Sequence, residues 1–387
     1  MRLPFDVRLL VGAGFVVAVG YGIVAPALPE YARSFNVGIT AAAAVVSGFA
    51  LVRLAFAPVS GQLIDRLGEQ FVFSCGLLVV GASSAACAFA RSYAELLIVR
   101  SLGGVGSTMF TVAAASLLIR RTPSGMRGRA MAAWATGFLA GTVAGPLVGG
   151  ALIGISLRAP FLAYAGVLVV VAAVLGTRLR EPGVGPAVVR RDAIPSPTFV
   201  AALRSCTYRA ALTSNFLDGW AVFGIRVVLV PLFVVDEVAR SGSWSGPALT
   251  AFAAGTVVTL PLGGHLADRW GRRPTVIVGT LIVAVTTLWL GVSTSVVELL
   301  IVCAVSGAGT GLMTPPVEAA VADVVADDGN RGGPALAAFQ MVGDVGAIFG
   351  PVLGGWAVEL GGYPAAFGLT ALIACGSMLC WIPVSRN

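Results

Sequence analysis

Apolar stretches of about 20 residues recur along the whole chain, centred for example on residues 75–90 and 276–292. A helix of that length crosses roughly 30 Å of hydrocarbon and satisfies its backbone hydrogen bonds within one segment. Only 11% of the 387 residues are charged, whereas soluble domains contain about 25%. The sequence therefore predicts an all-α integral membrane protein, because a barrel would show alternating apolar and polar residues.

The apolar stretches predict twelve membrane-spanning helices, which we number as spans 1 to 12 in chain order. The predicted spans lie near residues 7–30, 38–64, 71–90, 93–119, 127–154, 159–178, 205–234, 246–267, 274–293, 296–324, 333–357 and 363–384. The first stretch is long and lacks a small-residue cleavage site, so we expect no cleavable signal peptide.

The distribution of arginine predicts the orientation in the membrane. All 25 basic residues are Arg, since the sequence contains no Lys. If successive loops lie on alternate sides of the membrane, about 18 Arg lie on the side of the N-terminus and four on the other side. These four are Arg33, Arg91, Arg158 and Arg240. The positive-inside rule assigns the arginine-rich side to the cytoplasm. We therefore expect both termini in the cytoplasm of a plasma-membrane protein, and the net charge of +7 reflects topology rather than nucleic-acid binding.

Several classes of chemistry have no sequence signal. The six Cys are scattered without a C-x-x-C pair, which favours apolar packing over metal or disulfide chemistry. The chain has no H-E-x-x-H or G-x-S-x-G motif, and without Lys it has no phosphate-binding loop. We therefore expect no metal, no cofactor and no enzymatic activity, and an ion gradient rather than ATP as the energy source.

The chain also contains an internal repeat. A polar segment rich in Arg, Pro and Gly follows span 6 and predicts a cytoplasmic linker at residues 179–204, between halves 1–178 and 205–387. Four segments of the first half match segments of the second at nearly constant offset: residues 61–70 with 264–273, 100–106 with 305–311, 141–150 with 346–355, and 159–166 with 363–370. Parallel six-helix repeats are typical of transporters that bind substrate between their halves.

One repeated motif, G-x-x-x-G-P-x-x-G-G, falls in spans 5 and 11. Small residues let membrane helices approach closely, and proline kinks are tolerated there. The repetition predicts a bend and a smooth face on each helix, which we expect at the seams between the halves. The fixed residues are Gly141, Gly145, Pro146, Gly149, Gly150, Gly346, Gly350, Pro351, Gly354 and Gly355.

A second repeated motif joins spans 2 and 3, as GQLIDRLGEQ, and spans 8 and 9, as GHLADRWGRR. Glycines allow a tight turn, and an Asp at a helix end accepts backbone N–H bonds or complements a helix dipole. A single copy of the motif favours a capped turn that carries positive-inside Arg.

Together these motifs resemble the major facilitator superfamily, and in particular its twelve-span drug:proton antiporters. The likeness covers the two loops, the segment at Arg100 in span 4, the G-P motif of span 5 and the segment GYGIVAPALP in span 1. The resemblance implies that Asp65 latches the outward-facing state against the cytoplasmic end of span 11 and that Arg100 assists proton transfer. The sequence departs from the pattern where Glu69 and Gln70 replace a basic pair, and its only carboxylates near span 1 are Asp6 and Glu30, close to the two ends of the span.

Ionisable residues inside spans are costly and are therefore candidates for function, although buried ion pairs are the structural alternative. A titrating proton carrier must be a carboxylate, because Arg stays protonated. Asp218 in span 7 and Asp344 in span 11 are the carboxylate candidates for proton coupling, with Arg100 assisting. Arg226 is a possible structural partner of Asp218.

Arg53 in span 2 and Asp344 in span 11 lie at similar depth. The resemblance places these spans against each other, so we expect an Arg53–Asp344 pair that either switches or stays closed. The candidate latch residues are Asp65, Arg66, Asp268, Arg269, Arg53 and Asp344.

The remaining polar and aromatic residues of the inner spans give a candidate substrate cavity, although each aromatic taken alone favours ordinary packing or contact with lipid. The cavity candidates are Tyr21, Arg100, Phe110, Asn215, Asp218, Trp220 and Arg226. We expect a monomer in membrane lipid that exports amphiphilic small molecules in exchange for protons. A lipid flippase, a metabolite importer, a receptor and a membrane-embedded enzyme are the alternatives.

Overall fold

The computed structural model describes residues 3–123, 126–178, 202–239, 241–327 and 333–384. The described residues form helices joined by short connections, and no strand occurs among them. Most of the predicted linker, residues 179–201, and Arg240 of the predicted topology lie outside the described residues.

The first half contains six long helices. They are span 1, Phe5–Val24, with a short helix Leu28–Arg33 after it, span 2, Ile39–Leu67, span 3, Glu69–Ala88, span 4, Tyr93–Arg121, span 5, Arg127–Ile153, and span 6, Ala159–Arg178.

The second half repeats this order with two irregularities. Span 7 consists of an α-helix Cys206–Asp218, a π-helix Gly219–Arg226, an α-helix Val227–Phe233 and a π-helix Val234–Val238, and a 3₁₀ turn Gly242–Trp244 precedes span 8, Ser245–Trp270. Span 9 is Arg272–Leu290 and span 10 is Val296–Asp327. Spans 11 and 12 form one run, Gly333–Trp381, which leaves helical geometry at Gly361 and Gly362.

The twelve predicted spans are confirmed. Among the described residues, ten helices are long and apolar enough to cross a membrane. That number counts spans 11 and 12 as one and omits span 7, which the π-helix interrupts. The all-α membrane fold follows from these helices, since each satisfies its own backbone in an apolar solvent.

The chain divides into two compact units. Unit 1 comprises Met1–Val37 and Gly48–Arg191, and unit 2 comprises Gly38–Ser47 and Asp192–Asn387. The first turns of span 2 belong to unit 2 through two hydrogen bonds to span 11. Thr40 N donates to Glu359 Oε1 at 3.0 Å, and Ser47 Oγ donates to the carbonyl oxygen of Ile348 at 2.6 Å.

Capping boxes reveal the internal repeat within the two units. In unit 1, Ser92 Oγ accepts a hydrogen bond from Glu95 N at 3.2 Å at the start of span 4. In unit 2, Ser295 Oγ accepts one from Glu298 N, also at 3.2 Å, at the start of span 10. In each box the glutamate accepts a second bond from the backbone N–H four residues earlier. The equivalent residues differ by 203 positions.

Close contacts between spans 3 and 4, and between spans 9 and 10, follow the same offset. A Cβ on Gly76 would lie 2.7 Å from the carbonyl oxygen of Gly106, and one on Gly279 would lie 2.7 Å from that of Gly309. The structure thus makes Arg100 the equivalent of Cys303. The predicted match of residues 100–106 with 305–311 was wrong by two positions, because glycine-rich sequence aligns in more than one register.

The G-P motif of span 5 packs against span 1 within unit 1. A Cβ on Gly141 would lie 2.5 Å from the carbonyl oxygen of Phe15, and one on Gly22 would lie 2.8 Å from Pro146 Cδ. Only glycine permits such an approach of two backbones.

The G-P motif of span 11 packs in the same way against span 7 within unit 2. A Cβ on Gly346 would lie 2.8 Å from Trp220 N, and one on Gly224 would lie 3.0 Å from Pro351 Cδ. These contacts form seams between neighbouring helices of each unit, whereas the sequence had suggested seams between the halves. At the end of the motif, Gly355 faces Thr40.

The two seams differ by one residue. The backbone contact of Gly141 and the proline contact of Pro146 are seven residues apart in span 1, from Phe15 to Gly22. The equivalent contacts in span 7 are eight residues apart, from Phe216 to Gly224. The π-helix Gly219–Arg226 absorbs the extra residue, since a π turn contains one residue more than an α turn.

We therefore expect that deletion of Val222, inside the π-helix, leaves a folded protein. The deletion gives span 7 the residue spacing of span 1, so the contacts on both sides of the bulge keep their places. Monodispersity in size-exclusion chromatography and the melting temperature in detergent measure the outcome.

Deletion of Tyr21 is the matched control, because span 1 has no spare residue and everything after Tyr21 would rotate by about 100°. We expect this variant to be lost from the folded fraction. An equal loss of folded protein in the two deletion variants would contradict the interpretation that span 7 contains one extra residue.

Candidate functional site

Asp218 lies inside span 7 of unit 2, at the last residue before the π-helix. It is partly buried, and its carboxylate makes no hydrogen bond or ion pair with any residue that the structure describes. Arg226 and Glu318 lie near enough to interact with it electrostatically. An ionised carboxylate in a membrane interior is costly, so Asp218 is suited to bind a proton or a cation.

Arg226 ends the same π-helix and is 5% exposed. Its guanidinium carbon lies 3.7 Å from the centroid of the Phe252 ring, and Nη2 donates a hydrogen bond to Ser306 Oγ. Nη1 is buried and has no hydrogen-bond partner among the described residues. The side chain is thus held by a cation–π contact and one hydrogen bond while part of its donor capacity stays unused.

Arg100 in span 4 is the corresponding buried cation of unit 1, at 3% exposure. Its guanidinium carbon lies 4.5 Å from the centroid of the Phe49 ring. The Nε and Nη1 groups are buried and find no hydrogen-bond partner in the described part of the chain. The predicted intramembrane location of Arg100 agrees with this burial.

The two arginines stack on equivalent phenylalanines, although they come from different spans. Phe49 and Phe252 differ by 203 positions, and each stands twelve residues before the first glycine of its loop motif. The position equivalent to Arg100 is Cys303, which is buried and lies near Arg226. Each unit therefore holds a guanidinium at the same place, supplied by span 4 in unit 1 and by span 7 in unit 2.

The other cavity candidates have defined contacts within their units. Trp220 is buried and donates through Nε1 to Thr370 Oγ1 at 3.0 Å, and Asn215 Nδ2 donates to the carbonyl oxygen of Phe339 at 2.5 Å. Phe110 packs against Phe73 and Trp134, and Tyr21 is partly buried. Packing therefore occupies Trp220 and Phe110, the alternative that the sequence had left open for the aromatics.

The latch candidates fall at the ends of spans 2 and 8 and in the interior of spans 2 and 11. Asp65, Arg66, Asp268 and Arg269 are exposed at the helix ends. Gly68 and Gly271 close the two motifs with φ of 83° and 92°, a region that favours glycine. Arg53 belongs to unit 1 and Asp344 to unit 2, and their pairing stays a prediction.

An ion pair that the sequence did not predict explains why a glutamate occupies position 69. In unit 1, Arg120 Nη1 donates to Glu69 Oε2 at 2.8 Å, and Ser116 Oγ donates to Glu69 Oε1 at 2.8 Å. In unit 2 the equivalent pair has the opposite order: Arg272 contacts Asp323 and donates to the carbonyl oxygen of residue 319 at 3.1 Å. The constant offset of 203 would have revealed the exchange, because 69 matches 272 and 120 matches 323.

The described residues contain no group of three or more His, Cys, Asp or Glu side chains that could hold a metal ion.

Known proteins resemble this chain over much of its length. A sequence profile of the Major Facilitator Superfamily matches residues 10–235 and 211–387. Multidrug resistance protein 1 of Bacillus subtilis is 26% identical over 370 residues, which cover 94% of this chain and 92% of that protein. The quinolone resistance protein NorA of Staphylococcus aureus is 27% identical over 165 residues, 43% of this chain and 42% of that protein.

Solved structures show the same fold at lower identity. A bacterial homolog of the human lysosomal transporter Spinster superposes with a TM-score of 0.78 at 16% identity, over 97% of this chain and 95% of that chain. A POT family transporter in complex with a thioalcohol-conjugated peptide gives a TM-score of 0.79 at 12% identity, with the same coverage of both chains.

The exchanged ion pairs generate a charge-swap prediction. Glu69→Arg alone should lower the free energy of unfolding by about 2 kcal/mol, because it places a second cation beside Arg120 and removes a charge-assisted hydrogen bond. The double variant Glu69→Arg/Arg120→Asp copies the pair of unit 2 and should recover most of that loss. Thermal unfolding of the wild type, both single variants and the double variant measures the coupling. A double variant no more stable than Glu69→Arg would refute the exchange.

Proposed function

Because the chain belongs to the Major Facilitator Superfamily, we propose that it is a secondary active transporter that exports amphiphilic small molecules in exchange for protons by alternating access. The multidrug resistance proteins of Bacillus subtilis match nearly the whole chain and favour export over the importer and lipid-flippase alternatives. We assign no catalytic step to the chain.

The carboxylate of Asp218 carries the proposal of proton coupling. It lies inside a span without a hydrogen bond or ion pair to the described residues. Its negative charge is costly there unless a proton or a cationic group neutralises it. A proton and a substrate can compete for one carboxylate. If this carboxylate is accessible alternately from the two sides of the membrane, the competition exchanges one for the other.

The other candidates have supporting roles in the proposal. Asp344 is a second candidate for coupling, through the balance of its interaction with Arg53 between the transport states, and Arg100 assists proton transfer. Asp65 and Asp268, with the arginines that follow them, act as the cytoplasmic latch. Tyr21, Asn215 and Arg226 contact substrate.

The organisation of the protein in the cell is part of the same proposal. The halves 1–178 and 205–387, joined by the linker 179–204, act as the two lobes of a monomer surrounded by membrane lipid. The excess of Arg on one side supports a cytoplasmic location of both termini in a plasma-membrane protein. A green fluorescent protein fused to the C-terminus should fluoresce, because it folds in the cytoplasm.

Transport into everted membrane vesicles tests the role of Asp218. With an acid-inside gradient, the wild type should accumulate a lipophilic cationic dye, and Asp218→Asn should lose this gradient-driven accumulation. The amide has a similar shape but binds no proton. Passive exchange of the dye should persist in the variant, since binding and coupling are separate steps.

Glu298→Gln is the matched control, because it also removes a carboxylate from unit 2. Glu298 caps span 10, and a glutamine serves in the same capping box. This variant should accumulate dye as the wild type does. Accumulation by Asp218→Asn at the wild-type rate and with the same gradient dependence would exclude Asp218 as the coupling residue.

A further inference from the structure

The unused hydrogen-bonding capacity of Arg226 requires an explanation. One face of its guanidinium is covered by the Phe252 ring, and Nη2 donates to Ser306 Oγ. Nη1 is buried without a partner among the described residues. A buried charged donor that is only partly satisfied destabilises a fold unless something else binds it.

Asp218 does not fill this need, although it lies on the same face of span 7. The seam with span 11 shows that the π-helix absorbs one residue, so the eight residues from Asp218 to Arg226 correspond to seven residues of a regular helix. Seven residues are two turns, which place both side chains on one face at a separation of about 10 Å along the axis. The two charges interact electrostatically at this separation but form no ion pair.

In both units a guanidinium lies over the equivalent phenylalanine, although a different helix supplies the arginine. Unit 1 has a guanidinium over Phe49 from span 4, and unit 2 has one over the equivalent Phe252 from span 7. At the position equivalent to Arg100, unit 2 has Cys303. An exact copy of unit 1 would have its arginine in span 10, at position 303. Unit 2 instead supplies the guanidinium from span 7.

We propose that Arg226 is an anion-binding residue, and that the substrates include zwitterionic amphiphiles whose carboxylate binds Arg226 while their amine binds Asp218. The inference rests on the proposed transport function and specifies its substrate class. A carboxylate accepts hydrogen bonds from a guanidinium with good geometry and satisfies Nη1. An apolar body between the two charged groups spans the two turns between them.

Equilibrium binding to the purified protein in lipid nanodiscs tests the inference without any gradient. The probes are 4′-(aminomethyl)biphenyl-4-carboxylic acid, a rigid zwitterion of comparable length, and its methyl ester, which keeps the amine and the aromatic body. The wild type should bind the acid at least about tenfold more tightly than the ester, a difference of about 1.4 kcal/mol. In Arg226→Gln this ratio should fall to about one, with the affinity for the ester unchanged within about twofold.

Two further variants keep the result interpretable. Arg209→Gln removes an exposed arginine of the same span and should leave the ratio at the wild-type value. Arg226→Lys keeps the charge and should retain part of the preference for the acid, also if Arg226→Gln fails to fold. Equal binding of both probes by the wild type, binding of neither probe, or an unchanged ratio in Arg226→Gln would overturn the inference. Loss of proton-driven transport with the ratio intact would instead count against the proposed coupling alone.

Discussion

Helices in an apolar solvent gain little from burying apolar side chains against one another, so close backbone packing must hold them together. In this protein the glycines of spans 5 and 11 provide that packing. Their backbones touch those of spans 1 and 7, at distances that leave no room for a Cβ. These seams fix where span 7 stands in unit 2, and so where Asp218 and Arg226 are placed.

The two units share the packing contacts of the internal repeat but differ in the positions of their charged residues. Capping boxes and glycine contacts recur with an offset of 203 residues. The ion pair between each loop motif and the end of the span after next recurs with its charges exchanged, since Glu69 and Arg120 correspond to Arg272 and Asp323. A repeated packing pattern therefore carries an asymmetric distribution of charge.

Span 7 is where the two halves differ most. It contains an extra residue, a π-helix, an unpaired carboxylate among the described residues and a buried guanidinium, none of which has an equivalent in span 1. π-helices are rare in proteins and are frequent at functional sites. These features of span 7 support the proposal that proton coupling and substrate selection both depend on it.

The sequence by itself determined the membrane-spanning helices, the internal repeat and the family, because apolar length and repeated turn motifs are local properties. It also singled out Asp218, Arg226 and Arg100, since ionisable residues in apolar stretches are evident without a structure. Only the tertiary structure decided the register of span 10, the helices against which the G-P motifs pack, and the stacking of two arginines on equivalent phenylalanines. These depend on which helix faces meet, and a one-residue insertion such as that in span 7 changes the facing side chains while it leaves the apolar pattern intact.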